Sequence, residues 1–178
     1  MKRAFVLTIA VTLVTAFAQL HAQQVTTEEL NGVRNFKRLE TTVACAGATS
    51  AESLPAIKKM GFVAVVNLRQ ASEAGADIEG STAAAKAVNL NYVHIPFNTQ
   101  APEAAAADRF LAEIAKPANQ PAFIHCAGGG RAATMWFIKR MVVDKWDVER
   151  ASAEATALGM NNATLKQWAI EYSKSKGM

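Results

Sequence analysis

Apolar positions in this chain gather into short continuous runs, separated by longer stretches of helical periodicity. The runs are TTVACAG at 41–47, FVAVVNLR at 62–69, NYVHIPF at 91–97 and QPAFIHC at 120–126. Runs of this length, rich in β-branched residues and apolar at successive positions, predict strands buried on both faces, as in parallel sheets. Between and after them lie helical stretches. TSAESLPAIKKMG has Thr49 or Ser50 as its N-cap, Glu52 in its first turn and Gly61 past its end. TAAAKAVNL follows the polar loop QASEAGADIEGS, and EAAAADRFLAEIAK is bounded by Pro102 and Pro117. RAATMWFIKRMVVD, DVERASAEATALG and ATLKQWAIEYSKSKG complete the set. Strands alternating with helices predict an α/β fold, a central and mostly parallel sheet flanked by helices with right-handed crossovers. Strand order is not legible in the pattern.

The first 40 residues read differently. Lys2 and Arg3 precede the apolar run AFVLTIAVTLVTAFA at 4–18, which small residues follow. This is the layout of a secretory signal peptide, and the run is shorter than the roughly 20 apolar residues a membrane span needs. Cleavage fits after Ala18 or Ala22; the second gives a signal peptide over residues 1–22 and a periplasmic or secreted protein with no membrane partner. The next segment, QQVTTEELNGVRNFKRLE, is polar and is expected to pack only in part. Residues 23–40 are therefore read as an N-terminal extension and residues 41–178 as the domain.

Length and charge narrow the picture. A chain of 178 residues suits one core. Without Lys2 and Arg3, the 19 basic residues fall to 17 against 15 acidic, a net charge of +2. That balance argues against a nucleic-acid partner. No cofactor is implied and no metal constellation is apparent: only His94 and His125 follow the signal segment, and the two cysteines, Cys45 and Cys126, lack ligand spacing.

The chemistry concentrates in FIHCAGGGRAAT, residues 123–134. Cys126 ends a buried strand, the place where open α/β sheets carry their sites. Ala127, Gly128, Gly129 and Gly130 lack bulk, so their backbone N–H groups can turn inward as an anion-binding nest. The helix opening near Arg131 adds its positive end, and Arg131 a planar fork for oxyanion oxygens. The same features favour a nucleophilic thiolate at Cys126. His125 is placed to order the loop through hydrogen bonds from its ring.

A His-Cys, glycine-rich, arginine loop after a buried strand resembles the signature of the protein tyrosine and dual-specificity phosphatases. TVACAGATSAESLPAIKKMGFVAVVNLR, NYVHIPF and HCAGGGRAATMW, in that order, resemble the bacterial tyrosine-phosphatase-like group that includes the beta-lactamase-hydrolase-like phosphatase domains. The resemblance covers about residues 41–159 and implies the cysteine-phosphatase fold. It implies Cys126 as the phosphoryl-accepting nucleophile, Arg131 as the phosphate clamp, the amides of Ala127 to Gly130 as the cradle and His125 as a supporting residue. The implied substrate is a phosphorylated small molecule or a phosphoprotein.

Three positions depart from that pattern. Four residues separate Cys126 from Arg131, where tyrosine phosphatases have five; four is the spacing of rhodanese-like sulfurtransferases, whose cysteine carries a persulfide. Ala132 stands where a hydroxyl residue usually assists the leaving thiolate, Thr134 being the nearest alternative. Asn98-Thr99-Gln100 occupies the loop where relatives carry the acidic proton donor, and Glu103, Asp108 and Asp77 are the nearest substitutes. Three functions stay open on the residues: a phosphatase, a persulfide sulfurtransferase using the same cysteine, or a pseudo-phosphatase that binds an anion without turnover.

Overall fold

The structure, a computed structural model, describes residues 24–177. The expected signal peptide lies outside the described residues. Six strands form one sheet: β1 (Val25–Leu30), β2 (Val33–Leu39), β3 (Val43–Ala46), β4 (Ala64–Asn67), β5 (Asn91–His94) and β6 (Ala122–His125). Their order is β1-β2-β3-β6-β4-β5. β3, β6, β4 and β5 run parallel, whereas β1 and β2 join antiparallel at the β3 edge. The helices are α1 (Leu54–Lys59), α2 (Ile78–Ala87), α3 (Ala104–Ile114), α4 (Gly130–Val142), α5 (Val148–Ala157) and α6 (Ala163–Ser175). The predicted helix over 49–61 splits, with a 3₁₀ turn at Ala51–Ser53 preceding the short α1.

Period-2 alternation decides which layer each strand residue meets. Val43 and Cys45 of β3, Val66 of β4, and Ala122 and Ile124 of β6 face the core shared with α3 to α6. Ala44, Ala46, Val65 and Phe123 face the opposite core, with α1 and Ala85 of α2. Cys126 follows Ile124 by two and falls on the α3–α6 side, where it packs under α4. α4 is buried at every residue from Ala132 to Ile138, Trp136 and Phe137 among them. A helix apolar on all sides sits between layers rather than on the surface. It is tied to α5 by Arg140 Nε and Trp136 Nε1, both donating to Glu154 Oε1 at 2.7 Å. Arg131 lies in the first turn of α4, just past the end of β6.

The boundary that set residues 23–40 apart from the domain is corrected for the described part of that segment, although most of it packs only in part, as expected. β1 and β2 form a hairpin of the sheet itself, with Phe36 and Leu39 buried. Phe36 meets Phe123 edge-on at 5.3 Å, and Phe62 meets the same ring at 5.6 Å. The reason is a bulge: register shifts between Glu28 and Leu30, and Asn35 takes a left-handed φ of 50°. The apolar residues of β2 therefore fall at 33, 36 and 39, and the extra residue removes the alternation that signals a strand. Among the described residues, no helix is long and apolar enough to cross a membrane.

Candidate active site

The loop after β6 is braced from behind, so that its carbonyls point away from the cradle. Cys126 N donates to Ala46 O at 3.1 Å, and Ala48 N donates to Ala127 O at 2.9 Å. Asn35, re-aimed by the bulge, donates from Nδ2 to Gly128 O at 3.0 Å. Gly129, with φ of 102°, is the N-cap of α4 and holds a conformation that L side chains rarely adopt. Its N–H donates to Cys126 Sγ at 3.1 Å. The tight four-residue loop therefore delivers a backbone donor to the sulfur. Thr134 does not replace the missing hydroxyl beside Ala132, because Thr134 Oγ1 donates to Gly130 O at 2.9 Å.

Cys126, Ala127, Gly128, Gly130 and Arg131 line one pocket of about 170 Å³, closed by Thr99, Leu165 and the asparagines Asn161 and Asn162. Asn162 also caps α6 by accepting from Leu165 N. A larger open hollow beside the β1–β2 turn, about 520 Å³, is lined by Glu28, Glu29 and Asn31 and holds no nucleophile. Chemistry therefore assigns the site to the smaller pocket.

Arg131 is held on one edge. Nη1 donates to Glu73 Oε1 at 2.6 Å and Nη2 to Glu73 Oε2 at 2.7 Å, a bidentate pair. Nη1 also reaches Leu68 O at 3.1 Å and Phe97 O at 3.0 Å. A guanidinium has five N–H donors. Glu73 and the two carbonyls occupy the Nη1–Nη2 edge, which leaves the Nε–H and the second Nη2–H as a fork for an oxyanion. Partial burial works to raise the Glu73 carboxyl, but the Arg131 hydrogen bond, the Gln70 amide and the charges of Arg131 and Arg69 outweigh it, bringing its pKa down to about 2. The carboxylate therefore stays ionised, and its clamp on Arg131 weakens only as pH falls through about 2.

His125 differs from expectation. Its ring is buried on the α1–α2 side, tilted against Phe123 at 6.2 Å, and Nδ1 has no hydrogen-bond partner. Burial first, and then the positive charges of Arg69 and Arg131, push its pKa down to about 3. The ring supports the loop as a neutral packing group. The unfolded chain binds a proton here below its ordinary value of about 6.5, whereas the folded protein does so only near 3. Stability is therefore fully present above pH 6.5 and declines as pH falls. Thermal midpoints measured from pH 7 to 5, where carboxylates titrate little, should fall in the native protein and stay flatter in His125→Asn. Parallel profiles would refute this account.

The candidate proton donors are engaged elsewhere. Asp77 caps α2 by accepting from Gly80 N, and Asp108 accepts from Tyr172 at 2.6 Å and pairs with Lys176. Glu103 is the exposed N-cap position of α3. No carboxylate is among the residues lining the pocket. Cys45 lies opposite Ile124 on β3, parallel to β6 as expected and facing the same core as Cys126. Burial, then the neighbouring Cys126 and Glu154, push its thiol pKa well up, and both cysteines are free. His94 is structural, its Nε2 donating to Arg69 O at 2.8 Å. Glu73 and Asn35 were not legible in advance: Glu73 lies in a polar loop without a motif, and Asn35 in the segment expected to pack only in part.

Solved structures share this architecture. A DUF442 protein of Shewanella putrefaciens CN-32 aligns with a TM-score of 0.70 at 18% identity, covering 83% of this chain and 94% of that one. TpbA of P. aeruginosa in complex with pTyr aligns at 0.62 and 17% identity, covering 89% and 93%. The core catalytic domain of the PP-IP phosphatase SIW14 of S. cerevisiae aligns at 0.63 and 15% identity, covering 78% and 85%. At these identities the likeness establishes the fold, and no curated protein matches. The sequence itself matches the family PTP-NADK, DSP-PTPase phosphatase fused to NAD+ kinase, over residues 12–173. With that match over most of its length, and with the cysteine and arginine of the signature loop meeting in one pocket, the chain belongs to this family of dual-specificity-type phosphatases.

Proposed function

We propose that the protein is an exported cysteine-dependent phosphatase that cleaves a phosphate monoester through a phosphocysteine intermediate. The observation that carries this reading is the convergence of Cys126 Sγ, the Gly129 N–H and the free edge of Arg131 on one small pocket. The thiolate attacks phosphorus in line, forming the S–P bond as the bond to the leaving oxygen breaks. The Arg131 fork stabilises the charge on the equatorial oxygens. Water then attacks phosphorus, the S–P bond breaks, the sulfur leaves as thiolate against the Gly129 N–H, and inorganic phosphate departs with the water's proton shared by solvent. Export is supported by Lys2, Arg3 and the apolar run at 4–18. N-terminal sequencing of the protein from a periplasmic fraction should begin at Gln23; an intact Met1 would remove that part of the reading.

With no carboxylate lining the pocket, the leaving oxygen departs unassisted. General-acid help is typically worth about 10² to 10⁴-fold. Rates on para-nitrophenyl phosphate should therefore exceed those on simple alkyl phosphates by about 100-fold or more, beyond what a fully equipped phosphatase displays. Comparable rates on both would reveal a proton donor. The chemistry favours aryl esters, such as the pTyr seen with TpbA, over alkyl esters.

The deciding experiment is single-turnover hydrolysis of para-nitrophenyl phosphate with acid-quench recovery of a labelled phosphoprotein, run beside a thiosulfate:cyanide assay. Phosphoprotein on Cys126 and no thiocyanate are expected. The reverse would make the protein a sulfurtransferase, and tight phosphate binding with no turnover a pseudo-phosphatase, which the missing proton donor also favours.

A further inference from the structure

Behind the clamp lies a second arginine. Arg69, just past β4, has a side chain only 6% exposed, and no residue of the cradle uses it. Its backbone is fixed on both sides: Arg69 N donates to Asn67 Oδ1 at 2.9 Å, and Arg69 O accepts from His94 Nε2. The guanidinium turns away from the pocket and grips the loop that follows. Nη1 donates to Gly75 O at 2.9 Å and Nη2 to Ala74 O at 2.5 Å, the two carbonyls immediately after Glu73. Nε is buried without a hydrogen bond and sits 3.5 Å from Glu73 Oε2. Two short turns complete the loop, with Glu73 N donating to Gln70 O and Ala76 N to Glu73 O.

Glu73 therefore stands between two arginines. Oε1 accepts from Gln70 N and Arg131 Nη1, while Oε2 accepts from Arg131 Nη2 and faces Arg69 Nε. One buried and one part-buried guanidinium share one carboxylate, an arrangement that leaves a surplus positive charge behind an anion cradle. A free loop could satisfy Arg69 with water; a loop pinned at consecutive carbonyls delivers the Glu73 carboxylate to one place. We propose that Arg69 is a positioning residue for phosphoryl transfer, acting through Glu73 on the orientation of Arg131. The proposal rests on the reading of Arg131 as the oxyanion clamp.

A double-mutant cycle on para-nitrophenyl phosphate tests it, with Arg69→Lys, Glu73→Gln, their combination and Arg131→Lys as the reference. Lysine keeps the charge at 69 but lacks the fork that spans two carbonyls. Misplacing a clamp by an ångström costs up to about 10²-fold. Arg69→Lys should lower kcat/KM about tenfold, mainly through kcat, and weaken orthovanadate inhibition in step, as Glu73→Gln does. The double variant should be no slower than Glu73→Gln alone, because both act along one chain of contacts. A wild-type rate in Arg69→Lys, or losses that multiply in the double variant, would overturn the proposal. So would a wild-type rate in Glu73→Gln, whatever the Arg69 variants do and whether or not they fold. A large loss in Arg131→Lys beside these results overturns the relay alone, whereas a wild-type rate in Arg131→Lys removes the clamp reading and the relay together.

Discussion

Replacing Cys126 by serine should abolish turnover, with kcat lower by on the order of 10⁴-fold or more, as for other covalent nucleophiles. Serine is close in shape, and the site loses little packing, since Cys126 sits at the pocket floor beneath a glycine loop. What disappears is the sulfur nucleophile that the Gly129 N–H meets at 3.1 Å. A serine hydroxyl is protonated at neutral pH, and no general base lines the pocket to activate it. Phosphate and orthovanadate should therefore still bind the Cys126→Ser protein through Arg131 and the loop amides. The check is steady-state hydrolysis of para-nitrophenyl phosphate alongside calorimetric phosphate binding. Residual turnover within tenfold of the native protein would place the nucleophile elsewhere.

The second large effect belongs to Arg131. Arg131→Lys should reduce kcat/KM by about 10² to 10³-fold, the usual cost of one preorganised oxyanion donor. Lysine retains a charge, and Glu73 can capture that charge outright. An ammonium paired to Glu73 has no second edge to present to phosphate, whereas the guanidinium binds Glu73 with one edge and keeps the other free. The variant should lose oxyanion affinity and rate together, read as kcat, KM and the orthovanadate inhibition constant. Thermal stability should fall as well, because Leu68 and Phe97 are buried and their carbonyls lose a donor. Equal orthovanadate affinity in the lysine variant would contradict the clamp.

The residues behind both predictions were legible in the order of the chain, and the physical reasons are local. A cysteine at the end of an apolar run, a stretch without side-chain bulk and an arginine opening a helix are features of adjacent residues, so one stretch of sequence carries them complete. The α/β class was legible for the same reason: four buried runs alternating with amphipathic stretches state their own periodicity. Strand polarity near the site also followed, with β3 parallel to β6.

What stayed hidden depends on contacts between distant segments. Glu73 is 58 residues from Arg131, and Asn35 is 93 from the loop carbonyl it holds. Neither carries a spacing signal, because sheet order brings them together and sheet order is not encoded in periodicity. The hairpin of β1 and β2 was masked by its bulge, where a left-handed Asn35 puts two residues opposite one and breaks the alternation. The face that His125 takes was hidden because adjacency in sequence says nothing about it: on a strand, neighbours point to opposite layers, which sends Cys126 to the pocket and His125 to the α1–α2 side, where it supports the loop from behind. Sequence by itself named the candidate nucleophile, the candidate cradle and the fold class, all short-range properties. Tertiary structure alone decided which carboxylate holds the clamp, which residues brace the loop and which carboxylates stay outside the pocket, since each depends on where the chain returns.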